Sequence, residues 1–305
     1  MAQEAAVPAS PARAAEAPSA RAGRRHPLSP AARPDAALSL LLLAAAVLIA
    51  LFAPWAAPYD PIGQRLHLAL KPPFFLAGAA PGHLLGTDGL GRDILSYIFY
   101  GFRISLGVGI CAVAISALLG VSLGVWAGYQ GGRTDALVMR LADFQLTLPT
   151  VLVALAVIAI LGPGVGNLIL LIGLNHWAVY GRTVRGSVLA LREREFVEAA
   201  RALGAPPRTV ILRHILPGVM TPILIIAAVE LPRVMILEST LSFLGLGVPP
   251  TVPSLGGAIA HGYAFLLSGY WWLTVLPGLA LMVVVVAINL LGDWLRDVFD
   301  PRMQR

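Results

Sequence analysis

Six apolar segments, each close to 20 residues or longer, recur along the 305-residue chain. An α-helix needs about 20 mostly apolar residues to cross the hydrocarbon core of a membrane. Only 12% of the residues are charged, about half the share found in soluble domains. These features predict an all-α, polytopic membrane protein and exclude a disordered chain, a disulfide scaffold and an ordinary cytosolic enzyme. The six predicted transmembrane helices cover 36–55, 101–128, 137–161, 165–184, 218–240 and 272–292.

The segments between these runs define the predicted organisation of the chain. Residues 1–35 are rich in Ala, Pro, Ser and Arg and predict a disordered tail. Residues 36–57 predict a retained first helix rather than a cleaved signal peptide, because a long leader precedes it and five apolar segments follow. An external segment over 58–100, a five-helix core over 101–292 and a C-terminal tail over 293–305 complete the chain.

The basic residues predict the orientation. Six crossings place both termini on one side, and the alternate segments carry 17 Lys or Arg residues on that side against 4 on the other. Cytoplasmic loops are the ones enriched in Lys and Arg, so we expect both termini in the cytoplasm. Because the positive charge is spread between apolar runs rather than along one face, binding of nucleic acid is not expected.

Residues 192–217 form the most informative polar segment. Phe196, Ala199, Ala200 and Leu203 recur at helical spacing and predict one face of an amphipathic helix. Gly204 suits the end of that helix, and the two prolines at 206–207 suit the start of a second short helix. We therefore expect a helix-turn-helix beneath the membrane that offers a rigid surface to a partner protein. A solvated charged loop is the simpler alternative.

Three charged residues lie in or at the end of the fifth predicted span: Glu230, Arg233 and Glu238. Glu230 and Arg233 are three residues apart and can pair on one helix face. Charged groups at this depth must face protein or water, so they either line a transport pathway or hold helices together. Both interpretations stay open. His176, in the fourth span, favours a hydrogen bond between helices over a proton relay.

Two local features predict details of packing and capping. In the second span Gly120, Gly124 and Gly128 recur every fourth residue, which favours close approach of another helix. Ahead of that span, Thr87 or Asp88 is the expected cap of a short helix.

No catalytic constellation, metal site or cofactor site is expected in this chain. The only lysine, Lys71, has no neighbouring glycine-rich loop, so the phosphate-binding sequence of an ATPase is absent from the sequence. There is no zinc-helix or nucleophile-turn sequence either, and the single cysteine excludes an intrachain disulfide.

At residues 198–217 the sequence resembles a known family. Glu198, Ala199, Ala200 and Gly204, with Leu216 and Pro217, resemble the EAA loop of the permease subunits of bacterial ATP-binding-cassette (ABC) importers. From about 36 to 303 the chain is similar to the second permease of dipeptide, oligopeptide and nickel importers. This similarity includes the stretches 85–96, 128–132, 238–247, 289–293 and 300–301.

The resemblance implies a six-helix permease of the type I ABC importer fold in the bacterial inner membrane. In that family the EAA loop docks onto a cytoplasmic ATPase. The implied partners are a second permease, two ATPases that bind the ATP, an external solute-binding protein and the lipid bilayer. Dipeptides, oligopeptides, glutathione and chelated nickel are open as solutes. The alternative is a secondary transporter driven by an ion gradient, although the sequence shows no internal symmetry of the kind that such transporters have.

Overall fold

The computed structural model describes residues 34–299, and in that range the chain is helical apart from connecting segments and one isolated β-bridge. The α-helices are α1 (Pro34–Ala56), α2 (Ile94–Gln130), α3 (Gly132–Thr147), α4 (Thr150–Leu161), α5 (Val165–Arg192), α6 (Glu195–Ala202), α7 (Pro207–Val210), α8 (Leu216–Phe243), α9 (Leu255–Tyr263) and α10 (Trp272–Phe299). The all-α prediction is confirmed.

Most of the predicted N-terminal tail and the last six residues of the predicted C-terminal tail fall outside the described residues. Residues 1–33 of the N-terminal tail and 300–305 of the C-terminal tail are not among them. The last two residues of the predicted N-terminal tail belong to α1, and residues 293–299 continue α10 rather than leaving it.

Four helices of the described range are long and apolar enough to cross a membrane: 34–56, 94–130, 207–243 and 272–298. The bent pair α3 and α4 gives a fifth candidate if it forms one broken span. Helix α5 has 28 residues and sufficient length, but Asn175, His176 and its arginines interrupt the apolar sequence. The predicted count of six spans is therefore not confirmed.

The prediction of one continuous helix over 137–161 is wrong. Helices α3 and α4 meet at an angle of 89°. Leu148 is extended, with φ −83° and ψ 126°, and Pro149 follows it. A residue before proline is driven out of the helical region by the proline ring, and proline itself offers no N–H to the preceding turn. Pro149 thus ends α3 and starts α4.

The start of α2 also differs from the sequence interpretation. The helix begins at Ile94, and its cap is Asp93, whose carboxylate accepts hydrogen bonds from the Ser96 backbone N–H at 2.8 Å and the Ser96 hydroxyl at 2.7 Å. Thr87 and Asp88, the predicted caps, instead bind backbone groups of the preceding connection. These hydrogen bonds order the segment that immediately precedes Asp93.

The largest helix contact in the described range lies between α2 and α5. It follows the predicted glycine stripe: a side chain at Gly124 would begin 2.6 Å from the carbonyl oxygen of Gly181, and one at Gly128 would begin 2.9 Å from Val188. Only hydrogen fits at these positions, because the neighbouring helix already occupies the space. The predicted close approach is confirmed.

Candidate functional site

The polar segment 192–217 contains the helix and turn that its sequence predicts. Helix α6 covers Glu195–Ala202, and Gly204 follows with φ +80°, a left-handed conformation that glycine adopts without steric cost. The backbone N–H of Ala205 donates to the Ala200 carbonyl at 3.1 Å and closes the end of the helix. Pro207 then occupies the first turn of α7.

The second helix of this segment is not short, which corrects the sequence interpretation. Helix α7 continues through a five-residue π-helical turn, Ile211–Ile215, directly into α8. Residues 207–243 consequently form one 37-residue membrane-span candidate. Leu216 and Pro217 lie in the first turn of α8, where Leu216 is partly buried and Pro217 is exposed. A force on the turn would act directly on a transmembrane helix.

Helix α6 is held by one buried residue and presents the rest of its length outward. Val197 is fully buried in an apolar cluster with Val188, Val210 and Ile215. On the outer surface Phe196 is 48% exposed and Leu203 is 88% exposed. The remaining candidate residues of this surface are exposed or partly exposed: Glu198, Ala199, Ala200 and Gly204. Exposed apolar side chains among charges are typical of a protein-docking surface.

Two arginines, Arg192 at the end of α5 and Arg201 in α6, contact the end of α2. Arg192 donates from Nη1 to the Gly128 carbonyl at 3.0 Å. The Arg201 guanidinium lies 5.0 Å from the centre of the Tyr129 ring, within the range of a cation–π contact. The exposed face of α6 is therefore connected to α2 through Arg201, as well as to α8 through the apolar cluster of Val197.

The charged residues of α8 form two separate arrangements, and the first centres on Glu230. Its buried carboxylate accepts from Arg233 Nη1 at 2.9 Å and lies 2.9 Å from Nδ1 of His176 on α5. The pairing of Glu230 with Arg233 was predictable from their spacing. The sequence also indicated a helix-to-helix hydrogen bond for His176, but not its partner, which is 54 residues away.

The second arrangement surrounds Glu238, which has no exposed surface. Its carboxylate accepts from the Ser242 hydroxyl at 2.9 Å, from the Ser105 hydroxyl at 3.1 Å and from the Ser239 hydroxyl at 3.4 Å. Ser105 in turn accepts from the Leu255 backbone N–H at 3.2 Å. Glu238 thereby connects α2, α8 and the start of α9. Ser105 carries no signal in the sequence that points to this role, since only the packing of α2 on α8 brings it to Glu238.

Groups of three or more His, Cys, Asp or Glu residues that could hold a metal ion are not found in residues 34–299.

An all-helical fold with several membrane-span candidates, and an exposed amphipathic helix before one of them, is consistent with a membrane permease. Residues 120–305 match the family described as the inner membrane component of binding-protein-dependent transport systems, and residues 33–73 match the N-terminal TM domain of oligopeptide transport permease C. The chain belongs to this family, the permease subunits of ABC importers, and has the type I ABC permease fold. It functions as an ABC importer permease. The alternative considered from the sequence, a secondary transporter driven by an ion gradient, is not favoured.

Curated relatives are similar in sequence to the chain over most of their length. The chain is 41% identical to a di/tripeptide transport system permease protein of Pseudomonas aeruginosa over 87% of each chain. It is 36% identical to a dipeptide transport system permease protein of Haemophilus influenzae, covering 88% of this chain and 91% of the relative. It is 39% identical to a glutathione transport system permease protein of Escherichia coli, covering 88% of this chain and 86% of the relative.

Proposed function

We propose that this chain is the permease subunit of an ATP-driven peptide importer and that residues 192–217 receive the drive from a partner ATPase. The observation that carries this proposal is the exposed α6 surface joined, through Gly204 and α7, to a continuous 37-residue span. The names of the relatives favour di- and tripeptides as the solute, with oligopeptides, glutathione and a nickel chelate as less favoured members of the same group.

In the proposed coupling, the exposed face of α6 lies against the ATPase. Glu198, Ala199 and Ala200 supply a flat, partly charged contact, and Gly204 sets the angle between α6 and α7. Leu216 and Pro217 form the junction with α8. Because no break separates α7 from α8, a displacement of α6 on ATP binding would move α8 with it and change access to the pathway.

The proposed assembly contains a second permease, two cytoplasmic ATPases and an external solute-binding protein in the inner membrane. ATP binds to the ATPases, and this chain supplies neither catalytic residues nor a cofactor site. The 17-to-4 distribution of basic residues supports a cytoplasmic location for both termini and for α6. Nucleic acid has no place in the assembly.

Substitutions in the turn test the coupling. We expect Gly204→Val to leave the complex assembled and to lower solute uptake at least tenfold, because a β-branched residue is strained at φ +80° and would re-aim α6. Glu198→Lys should have a similar effect by reversing the charge of the contact. Uptake and solute-stimulated ATP hydrolysis are measured together in proteoliposomes.

Gly162→Val is the matched control, since Gly162 has φ +79° and, like Gly204, no atom within 4 Å of the added side chain's first carbon. It lies between α4 and α5, away from α6. Its ratio of solute moved to ATP hydrolysed should equal that of the unaltered protein. Normal stimulated hydrolysis and uptake in both Gly204→Val and Glu198→Lys would refute the coupling role.

A further inference from the structure

Arg233 lies deep within a membrane-spanning helix. It is ten residues before the end of α8 at Phe243, which corresponds to about 15 Å along the helix axis. The predicted span 218–240 ends seven residues after Arg233, so we place the residue inside the hydrocarbon core, which is about 30 Å thick.

The side chain of Arg233 is nevertheless 66% exposed in the single chain. Its exposed neighbours on the same face of α8 are Val229, Ile236 and Thr240, none of which carries a charge. A guanidinium at this depth is too costly to leave against lipid chains. This face of α8 must therefore meet water or protein when the transporter is assembled.

The Arg233 guanidinium is held by a buried carboxylate on the same helix. Glu230, whose side chain is 3% exposed, accepts from Nη1 of Arg233 and is itself fixed to His176 on α5. Within residues 34–299 the Arg233 side chain makes one hydrogen bond, the one to Glu230. A guanidinium has five N–H donors in a planar fork, so most of its donors are free to bind another group. The remaining donors have no hydrogen-bond partner among residues 34–299, and the side chain that carries them is mostly exposed.

We propose that Arg233 lines the solute pathway and binds the carboxylate of the translocated peptide. This inference rests on the proposed function, because a peptide with a free C-terminus carries that carboxylate. A guanidinium and a carboxylate form parallel hydrogen bonds of good geometry, and these bonds are strongest where water is scarce. Glu230 is then a positioning residue that balances the charge while the pathway is empty.

A single-cysteine experiment tests whether a positive charge at this position faces the pathway. The chain has one cysteine, Cys111, so Cys111→Ser provides the parent. In Cys111→Ser with Arg233→Cys, dipeptide uptake by the reconstituted complex should fall about tenfold, the equivalent of one good charge-assisted bond. Treatment with aminoethyl methanethiosulfonate, which restores a positive charge, should recover most of that loss. The sulfonatoethyl reagent, which adds a negative charge, should recover none.

Ile236→Cys is the matched control, because Ile236 lies one turn further along the same exposed face and is 49% exposed. Neither reagent should raise its uptake. The proposal is overturned if Arg233→Cys does not react with either water-soluble reagent, since its face would then be closed by protein. It is also overturned if the two reagents have equal effects on uptake.

The carboxylate assignment has its own measurement. Uptake of a dipeptide and of its C-terminal amide is compared at concentrations that saturate the binding protein. Arg233→Gln should lower uptake of the acid at least fivefold more than uptake of the amide, and Arg233→Lys should show a smaller difference in the same direction. If Arg233→Gln or Arg233→Lys assembles and lowers uptake of the acid and of the amide equally, the carboxylate assignment is overturned.

Failure of the proposed function gives a different result. If the unaltered complex takes up no dipeptide, the peptide assignment itself is wrong. If it takes up dipeptide and the Arg233 variants behave like the parent, only the inference about Arg233 is wrong.

Discussion

A single carboxyl group at Glu238 organises the contact between three helices. Hydroxyl groups from α2 and α8 donate hydrogen bonds to it. The Ser105 hydroxyl also accepts from the Leu255 backbone N–H at the start of α9. Buried polar groups of this kind are costly when one member is removed, because the others lose their partner without gaining water. Glu238 therefore has a supporting role, in contrast to the outward-facing Arg233.

We predict that Glu238→Ala lowers the stability of the complex by about 1–3 kcal/mol, since it leaves three buried hydroxyls without their acceptor. Glu238→Gln, which keeps an acceptor oxygen, should cost less. Thermal unfolding in detergent, followed by tryptophan fluorescence, measures both. Thr240→Ala serves as the control, because Thr240 is exposed on the same helix and bonds only within it. Equal unfolding temperatures for Glu238→Ala and Thr240→Ala would contradict the supporting role.

At this scale the sequence predicts local partners better than distant ones. The pairing of Glu230 with Arg233 follows from helical geometry alone. The partners His176 and Ser105 are 54 and 133 residues away from their glutamates. Their contacts depend on how α5 and α2 are rotated against α8, which no pattern within one segment specifies.

Among the elements, the paired helices α2 and α5 make the most extensive helix contact in the described range. Their glycine stripe brings the two backbones together, and Ser116 donates to the Gly173 carbonyl at 2.9 Å near the same contact. Close packing of this kind replaces the hydrophobic driving force that is missing between helices in lipid.

We predict that Gly124→Ala destabilises the protein by about 1–3 kcal/mol, because the added methyl group would overlap the Gly181 carbonyl and Val184. Gly107→Ala, on the same helix with no atom within 4 Å, should be neutral or slightly stabilising. Thermal unfolding of the two purified variants provides the comparison. A Gly124→Ala protein as stable as Gly107→Ala would show that α2 and α5 separate at little cost.

The existence of most helices could be predicted, whereas their ends and continuity could not. The predicted third span is broken because Pro149 outweighs the apolar character of the residues on both sides. The cap of α2 shifted to Asp93 because Thr87 and Asp88 are already occupied by backbone groups. Helix α7 joins α8 through a π-helical turn, a feature that hydrophobic periodicity does not reveal.

At the scale of the whole molecule, the proposed ATPase contact on α6 and the proposed pathway residue Arg233 are connected by the 207–243 helix. The α6 surface lies at one end of the 207–243 helix, and Arg233 lies within the same helix. A displacement of α6 would therefore pass through the Gly204 turn and then along one continuous helix to the residue that we place against the solute. In the proposed function, this continuity would link ATP hydrolysis by the partner to release of the peptide.

The most direct measurement is dipeptide uptake by proteoliposomes that contain this permease with its partner permease, its ATPases and the external binding protein. We expect accumulation of labelled dipeptide that requires both ATP and the binding protein and that persists when ion gradients are dissipated. Accumulation that follows an imposed proton or sodium gradient without ATP would contradict this expectation, as would binding-protein-stimulated ATP hydrolysis with no movement of dipeptide.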